Sequence, residues 1–122
     1  MPEYVLENLI KKQQELGGID VFKLKPGTLI TVRTRKSLYK FKTTDEKGKL
    51  IATGGKYLPE EREIYFSGST FGGSCIKVGW IGYLMHMEIW IGKKLITTTS
   101  VQDASIEGDG WKYEMDWKNK AA

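Results

Sequence analysis

Tyr83-Leu84-Met85-His86-Met87-Glu88-Ile89-Trp90-Ile91-Gly92-Lys93-Lys94-Leu95-Ile96-Thr97-Thr98-Thr99-Ser100-Val101 is the stretch that decides the fold class. Alternation over residues 83–91 puts Tyr83, Met85, Met87, Ile89 and Ile91 on one face and Leu84, His86, Glu88 and Trp90 on the other. That period of two is the signature of a half-buried strand. Gly92-Lys93-Lys94 then turns the chain. Residues 95–101 pair back, with Leu95, Thr97, Thr99 and Val101 forming the wall face opposite Ile96, Thr98 and Ser100.

The same grammar extends in both directions. Upstream, Ile30 and Val32 share one face of a strand over residues 28–35, while Thr31, Arg33 and Arg35 share its solvent face. Residues 37–43 alternate again, Tyr39 and Phe41 against Leu38, Lys40 and Lys42, so a tight hairpin is expected near Arg35-Lys36-Ser37. Residues 45–48 read as a turn, 49–53 as a short strand, Gly54-Gly55 as a break and Glu60-Glu61-Arg62-Glu63 as an exposed loop. Residues 64–67 make a strand that runs into a flexible glycine-rich segment, 68–74, and Gly79-Trp80-Ile81-Gly82 reads as a bend. Downstream, Trp111, Tyr113, Met115 and Trp117 alternate with Lys112, Glu114 and Asp116, as a closing strand does.

Residues 2–16 differ. Val5, Leu6, Leu9, Ile10 and Leu16 recur at helical spacing, with Pro2 suited to a first turn and Gly17-Gly18 to a stop. Glu3 and Glu7 at the start, with Lys11 and Lys12 toward the end, suit the helix dipole. The expected architecture is therefore mainly β: one domain over residues 1–122, with an N-terminal helix in 1–18 and a small antiparallel barrel, SH3-like or related, or a sandwich in 28–117.

The chain has 122 residues, enough for one core without staples. Its 14 glycines and 14 aromatics favour short strands and tight turns over a helix bundle. A single cysteine, Cys75, excludes an intrachain disulfide and fits a reduced cytoplasm. The longest run without a charged or strongly polar side chain, residues 78–85, is far shorter than a bilayer span of roughly 20 residues, so no membrane segment is expected. Glu3 and Glu7 precede the first lysines, the wrong order for a secretory signal, and Met1 reads as the start.

Charge is unevenly placed. Between residues 21 and 44 there is no acid, while Lys23, Lys25, Arg33, Arg35, Lys36, Lys40 and Lys42 add seven positive charges. Between 103 and 117, Asp103, Glu107, Asp109, Glu114 and Asp116 face Lys112 alone. Such a chain either binds a polyanion or pairs its two halves.

Residues 34–39, Gly68-Ser69-Thr70, Gly72-Gly73-Ser74, Gly79-Trp80-Ile81-Gly82 and Met87-Glu88 together resemble small uncharacterised prokaryotic proteins, over roughly half the chain. The resemblance implies no activity.

Three constellations bear on function. Arg33, Arg35, Lys36, Lys40 and Lys42 form a candidate basic face for nucleic acid or another polyanion, although alternation turns Tyr39, the natural base-stacking residue, away from it. As an ordinary structural feature, the same lysines protect a strand edge from unwanted pairing. Gly68, Ser69, Thr70, Gly72, Gly73 and Ser74 form a candidate anion-cradling loop, against the plainer reading of a wide connection; no Walker sequence follows. His86 and Glu88 lie two apart on one strand face, about 6.5 Å between Cα atoms, close enough for shared metal or acid–base work, and Cys75 with His86 would make a nucleophile and base pair. Their plainer reading is a half-buried histidine beside Leu84 and Trp90. One histidine and one cysteine are too few for a zinc site, so neither metal nor cofactor is expected.

The expected function is a small cytoplasmic, non-catalytic binding module for a polyanion. The alternatives are a protein-interaction or self-assembling domain using the N-terminal helix or the Trp-rich strand, and an enzyme built on the glycine-rich loop with Cys75, His86 and Glu88.

Overall fold

The computed structural model describes residues 11, 17–71 and 76–117. The expected helix over residues 2–16 lies, Lys11 apart, outside them, and none of the described elements is an α-helix. Ten strands alternate with turns. They are β1 (Gly18–Asp20), β2 (Leu29–Thr34), β3 (Leu38–Thr43), β4 (Lys49–Gly54), β5 (Leu58–Thr70), β6 (Lys77–Val78), β7 (Trp80–Gly82), β8 (His86–Ile91), β9 (Lys94–Gly108) and β10 (Trp111–Glu114), with one 3-10 turn at Val21–Lys23.

Every pairing is antiparallel. Strands β2, β3, β4 and β5 pair in sequence, β8 pairs both β5 and β9, and β9 returns to β2. The pairings therefore close into a ring in the order β2-β3-β4-β5-β8-β9. Outside the ring, β1 pairs β7, β6 pairs β5 and β10 pairs β9.

Alternation explains what fills the ring. Ile30 and Val32 of β2, Tyr39 and Phe41 of β3, and Leu50 and Ala52 of β4 are all buried. Ile64 and Phe66 of β5 and Met87 and Ile89 of β8 complete the wall. Tyr39 stacks on Phe41, with ring centroids 6.0 Å apart and planes within 3°. The hairpin expected near Arg35-Lys36-Ser37 forms, closed by Thr34 N–H donating to Ser37 C=O at 2.8 Å. Met115 and Trp117 are buried, so the C-terminal aromatic stripe closes the core as alternation implies.

Five local expectations need correction. Leu95, Thr97, Thr99 and Val101 do not share the inner face: Ile96 and Thr98 point inward, then Val101, then Ala104 and Ile106. The cause is two bulges. Three β9 steps, Thr97 to Ser100, match two β8 steps between Glu88 and His86, and two β9 steps, Val101 to Asp103, match one on β2 between Thr34 and Arg33. Each extra residue reverses the face of everything beyond it. Thr98 holds the first bulge, its buried hydroxyl accepting the Met87 N–H at 3.0 Å and donating to Thr99 C=O at 2.8 Å.

Glu60-Glu61-Arg62-Glu63 is not a loop but the exposed first half of β5, paired to β4. Gly68-Ser69-Thr70 is buried strand, and the expected bend at residues 79–82 contains β7, paired to β1. Glycine makes both possible: a Cβ at Gly68 would sit 2.1 Å from Lys77 C=O, and one at Gly18 would strike the Trp80 ring. Strand β8 starts at His86 and not at residue 83, because Leu84 takes a left-handed conformation (φ 66°) that breaks the ladder.

Candidate polyanion face and cleft

The β2–β3 hairpin carries the basic residues as expected. Lys40 and Lys42 project outward from β3, beside Thr31 and Thr53 and beside Leu29 and Ile51, respectively. Arg35 and Lys36 occupy the exposed hairpin turn. Arg33 is different, because β9 lies next to β2 and places Asp103 opposite it. Its Nε donates to Asp103 Oδ2 at 2.9 Å, and its terminal nitrogen bonds the same oxygen. Thus the acidic C-terminal half does pair with the basic half, but only at one edge. Among the described residues no ion pair engages Arg35, Lys36, Lys40 or Lys42.

Lys36 also lines a cleft of about 700 Å³ at one end of the ring. The cleft exists because β9 is longer than its neighbour: β2 pairs only Val101–Glu107, leaving residues 95–99 unpaired on that side. Its opposite wall is the β4–β5 turn with Lys56 and Tyr57. Tyr39 lies between, and only glycine fits at position 55, where a Cβ would come within 2.9 Å of the Tyr39 hydroxyl.

Three features of this cleft suit an anion. Lys56 Nζ and Lys94 Nζ lie 5.0 Å and 4.9 Å from the centroid of the Tyr57 ring, so one aromatic face system gathers two ammonium groups. Hydroxyls of Ser37, Thr97 and Thr99 line the walls, Thr99 Oγ1 accepting the Lys36 N–H at 3.2 Å. Finally, Ile91 and Lys94 close the two-residue Gly92-Lys93 turn as a hydrogen-bonded pair. Alternation then points the backbone of Ile96 at β8 and that of Leu95 and Thr97 toward the cleft.

Sequence reasoning missed Lys56, Tyr57 and Lys94. The available signal was Gly54-Gly55 followed at once by a cation and an aromatic, a pattern whose partners only the register of β9 brings near.

The other candidates look different in place. Ser69 is fully buried, its hydroxyl donating to Trp80 C=O and accepting the Gly82 N–H at 3.4 Å, so it serves the core. Gly68 and Thr70 are ladder residues of β5. Gly72, Gly73, Ser74 and Cys75 lie outside the described residues. His86 Nδ1 sits 2.8 Å from Thr98 C=O, a structural bond at the bulge. Among the described residues no group of His, Cys, Asp and Glu is placed to hold a metal ion, and no helix is long and apolar enough to cross a membrane.

A second cleft, of about 830 Å³, lies between the first half of β5 and the tip of the β8–β9 hairpin. Glu60, Glu61 and Glu63 line it with Arg62, Tyr57 and Tyr65, a potential that repels anions. Lys49 is committed nearby, 3.4 Å from Glu46 and 3.3 Å from Glu63. The hydrogen bond to Glu63, then that to Glu46, raises its pKa above 10.5.

No family model, curated protein or solved structure matches this chain.

Proposed function

We propose that the chain is a small non-catalytic binding module for a polyanion, specifically single-stranded nucleic acid. In this reading the ring is a small SH3-like or related barrel, at work in the reduced cytoplasm that suits a lone cysteine. Phosphates run from Lys40 and Lys42 past Arg35 and Lys36 into the cleft, where Lys56 and Lys94 take the next charges. A base stacks on Tyr57.

The observation that carries this reading is a cleft lined by Lys36, Lys56 and Tyr57, with Lys94 beside the Tyr57 ring and Tyr57 itself 40% exposed. Like charges held near one another repel, and an arriving phosphate relieves that repulsion. Tyr57 supplies the aromatic surface that the outer basic face lacks, since Tyr39 is buried.

The test is fluorescence anisotropy with a labelled oligothymidylate of about 12 nucleotides. Stacking contributes about 1–3 kcal/mol per base, so Tyr57→Ala should weaken binding roughly five- to 150-fold while Tyr57→Phe retains it. Equal affinity of Tyr57→Ala and the parent protein refutes the stacking role, and no binding at low salt refutes the function.

A further inference from the structure

Two unfavourable features meet at one spot of the fold. The first is Leu84. Met85 N–H donates to Gly82 C=O at 3.1 Å, closing a four-residue turn with Leu84 in its third place at φ 66°. Glycine or asparagine ordinarily fills that place, because a Cβ in the left-handed region crowds the following carbonyl. Leucine stands there although its side chain is 48% exposed. A strained and exposed large apolar residue is unfavourable on both counts unless something packs on it.

The second is Trp117. Its ring packs against that of Tyr83, the neighbour of Leu84, with centroids 5.9 Å apart. Trp117 is 2% exposed, yet its Nε1–H has no acceptor, and among the described residues it is the one buried side-chain nitrogen or oxygen without a partner. A buried donor left without an acceptor is rare, and it points to a group that completes it.

The chain itself brings such a group to this spot. Gly17 C=O accepts the Tyr83 N–H at 2.8 Å, so the segment before Gly17 is joined to the fold beside Tyr83 and Leu84. That segment carries Val5, Leu6, Leu9, Ile10 and Leu16 at helical spacing. One polar residue falls within the same stripe: Gln13 stands four residues after Leu9, three after Ile10 and three before Leu16. Lys11, on the opposite side of the same wheel, is exposed.

We infer that the apolar stripe of residues 5–16 docks on Leu84 and Tyr83, and that the side-chain carbonyl of Gln13 accepts the Trp117 Nε1–H. One contact then accounts for a leucine where a turn calls for glycine, for an orphaned indole donor and for a glutamine in an apolar stripe. The covalent link at Gly17 gives the segment a high effective concentration at this site, which favours it over a separate partner.

Urea unfolding and the indole NMR signals of the full chain test this. Leu84→Gly relieves the backbone strain, so an uncovered Leu84 would show a raised midpoint, whereas docking predicts a fall of about 0.5 M. In a Leu9→Ser/Ile10→Ser background the same glycine substitution should raise the midpoint, because the contact it removes is already gone. Gln13→Leu should move the Trp117 indole proton signal and speed its exchange with solvent, while Gln13→Glu, which keeps an acceptor, leaves it protected. A raised midpoint for Leu84→Gly alone, an equal change in both backgrounds, or an indole signal indifferent to Gln13→Leu overturns the inference. So does a Leu84→Gly effect that grows with protein concentration, which would place a second copy on this surface.

Discussion

Thr98→Val probes the bulge that orients both the core and the cleft. Valine matches threonine in shape, so the substitution removes chemistry and not volume. Thr98 is 5% exposed and Met87, whose N–H it accepts at 3.0 Å, is fully buried. Without the hydroxyl that donor has no acceptor in an apolar interior, at a cost of about 1–3 kcal/mol. The hydroxyl's own bond to Thr99 C=O, 2.8 Å, contributes about 1 kcal/mol more, and the extra buried methyl returns under about 1 kcal/mol. The net loss is about 2 kcal/mol. In urea, followed by tryptophan fluorescence, it lowers the midpoint by about 1 M with an unchanged slope, and it lowers Tm by about 6–10 °C. The control is Thr97→Val, one residue away but exposed, expected to change stability by less than about 0.5 kcal/mol. Equal stability of the two variants, or unchanged protection of the Met87 amide in hydrogen exchange, refutes the assignment of Thr98 as the clasp of the bulge.

Other predictions follow from the same geometry. Asp103→Asn releases Arg33 from an exposed pair and adds a cation to the basic face, so oligonucleotide affinity at about 100 mM salt should rise about two- to fivefold with little change in stability. Gly54→Ala forces a Cβ to within 2.1 Å of Leu38 C=O at φ 127°, and should cost more than about 2 kcal/mol in urea unfolding. Gly27→Ala has a similarly positive φ but open space, and should cost only about 1 kcal/mol. Lys49 binds its proton more tightly when folded, so its contribution is complete below 10.5 and is lost as pH rises through the raised value. Unfolding titrations from neutral to alkaline pH should therefore show Lys49→Met losing less stability above pH 10.5 than the parent protein.

Much of the ring was legible because alternation is a local signal. Ile30, Val32, Tyr39 and Phe41 fall inside, and Lys40 and Lys42 fall outside, as residues two apart on one strand must. What failed was non-local. The inner face of β9 depends on bulges at Thr98 and Gln102, which are set by the strands on either side and leave no mark in a run of Thr97-Thr98-Thr99-Ser100. Gly68, Ser69 and Thr70 look like loop residues, yet tight packing against β6 and β7 requires small side chains there. Arg33 reads as a free cation until the register brings Asp103, 70 residues later, into reach. The basic turn was therefore visible in sequence, whereas the cleft that extends it was not, because Lys36 and Lys56 come from separate turns and Lys94 from the start of β9.

The most direct test of the central claim is the salt dependence of oligonucleotide affinity. If Arg35, Lys36, Lys40, Lys42, Lys56 and Lys94 each neutralise one phosphate, log K against log salt has a slope of about −4 for a single strand. The account predicts that slope, and a shallower one of about −3 for Lys36→Ala/Lys56→Ala. A slope near zero, or one that the double substitution leaves unchanged, contradicts it.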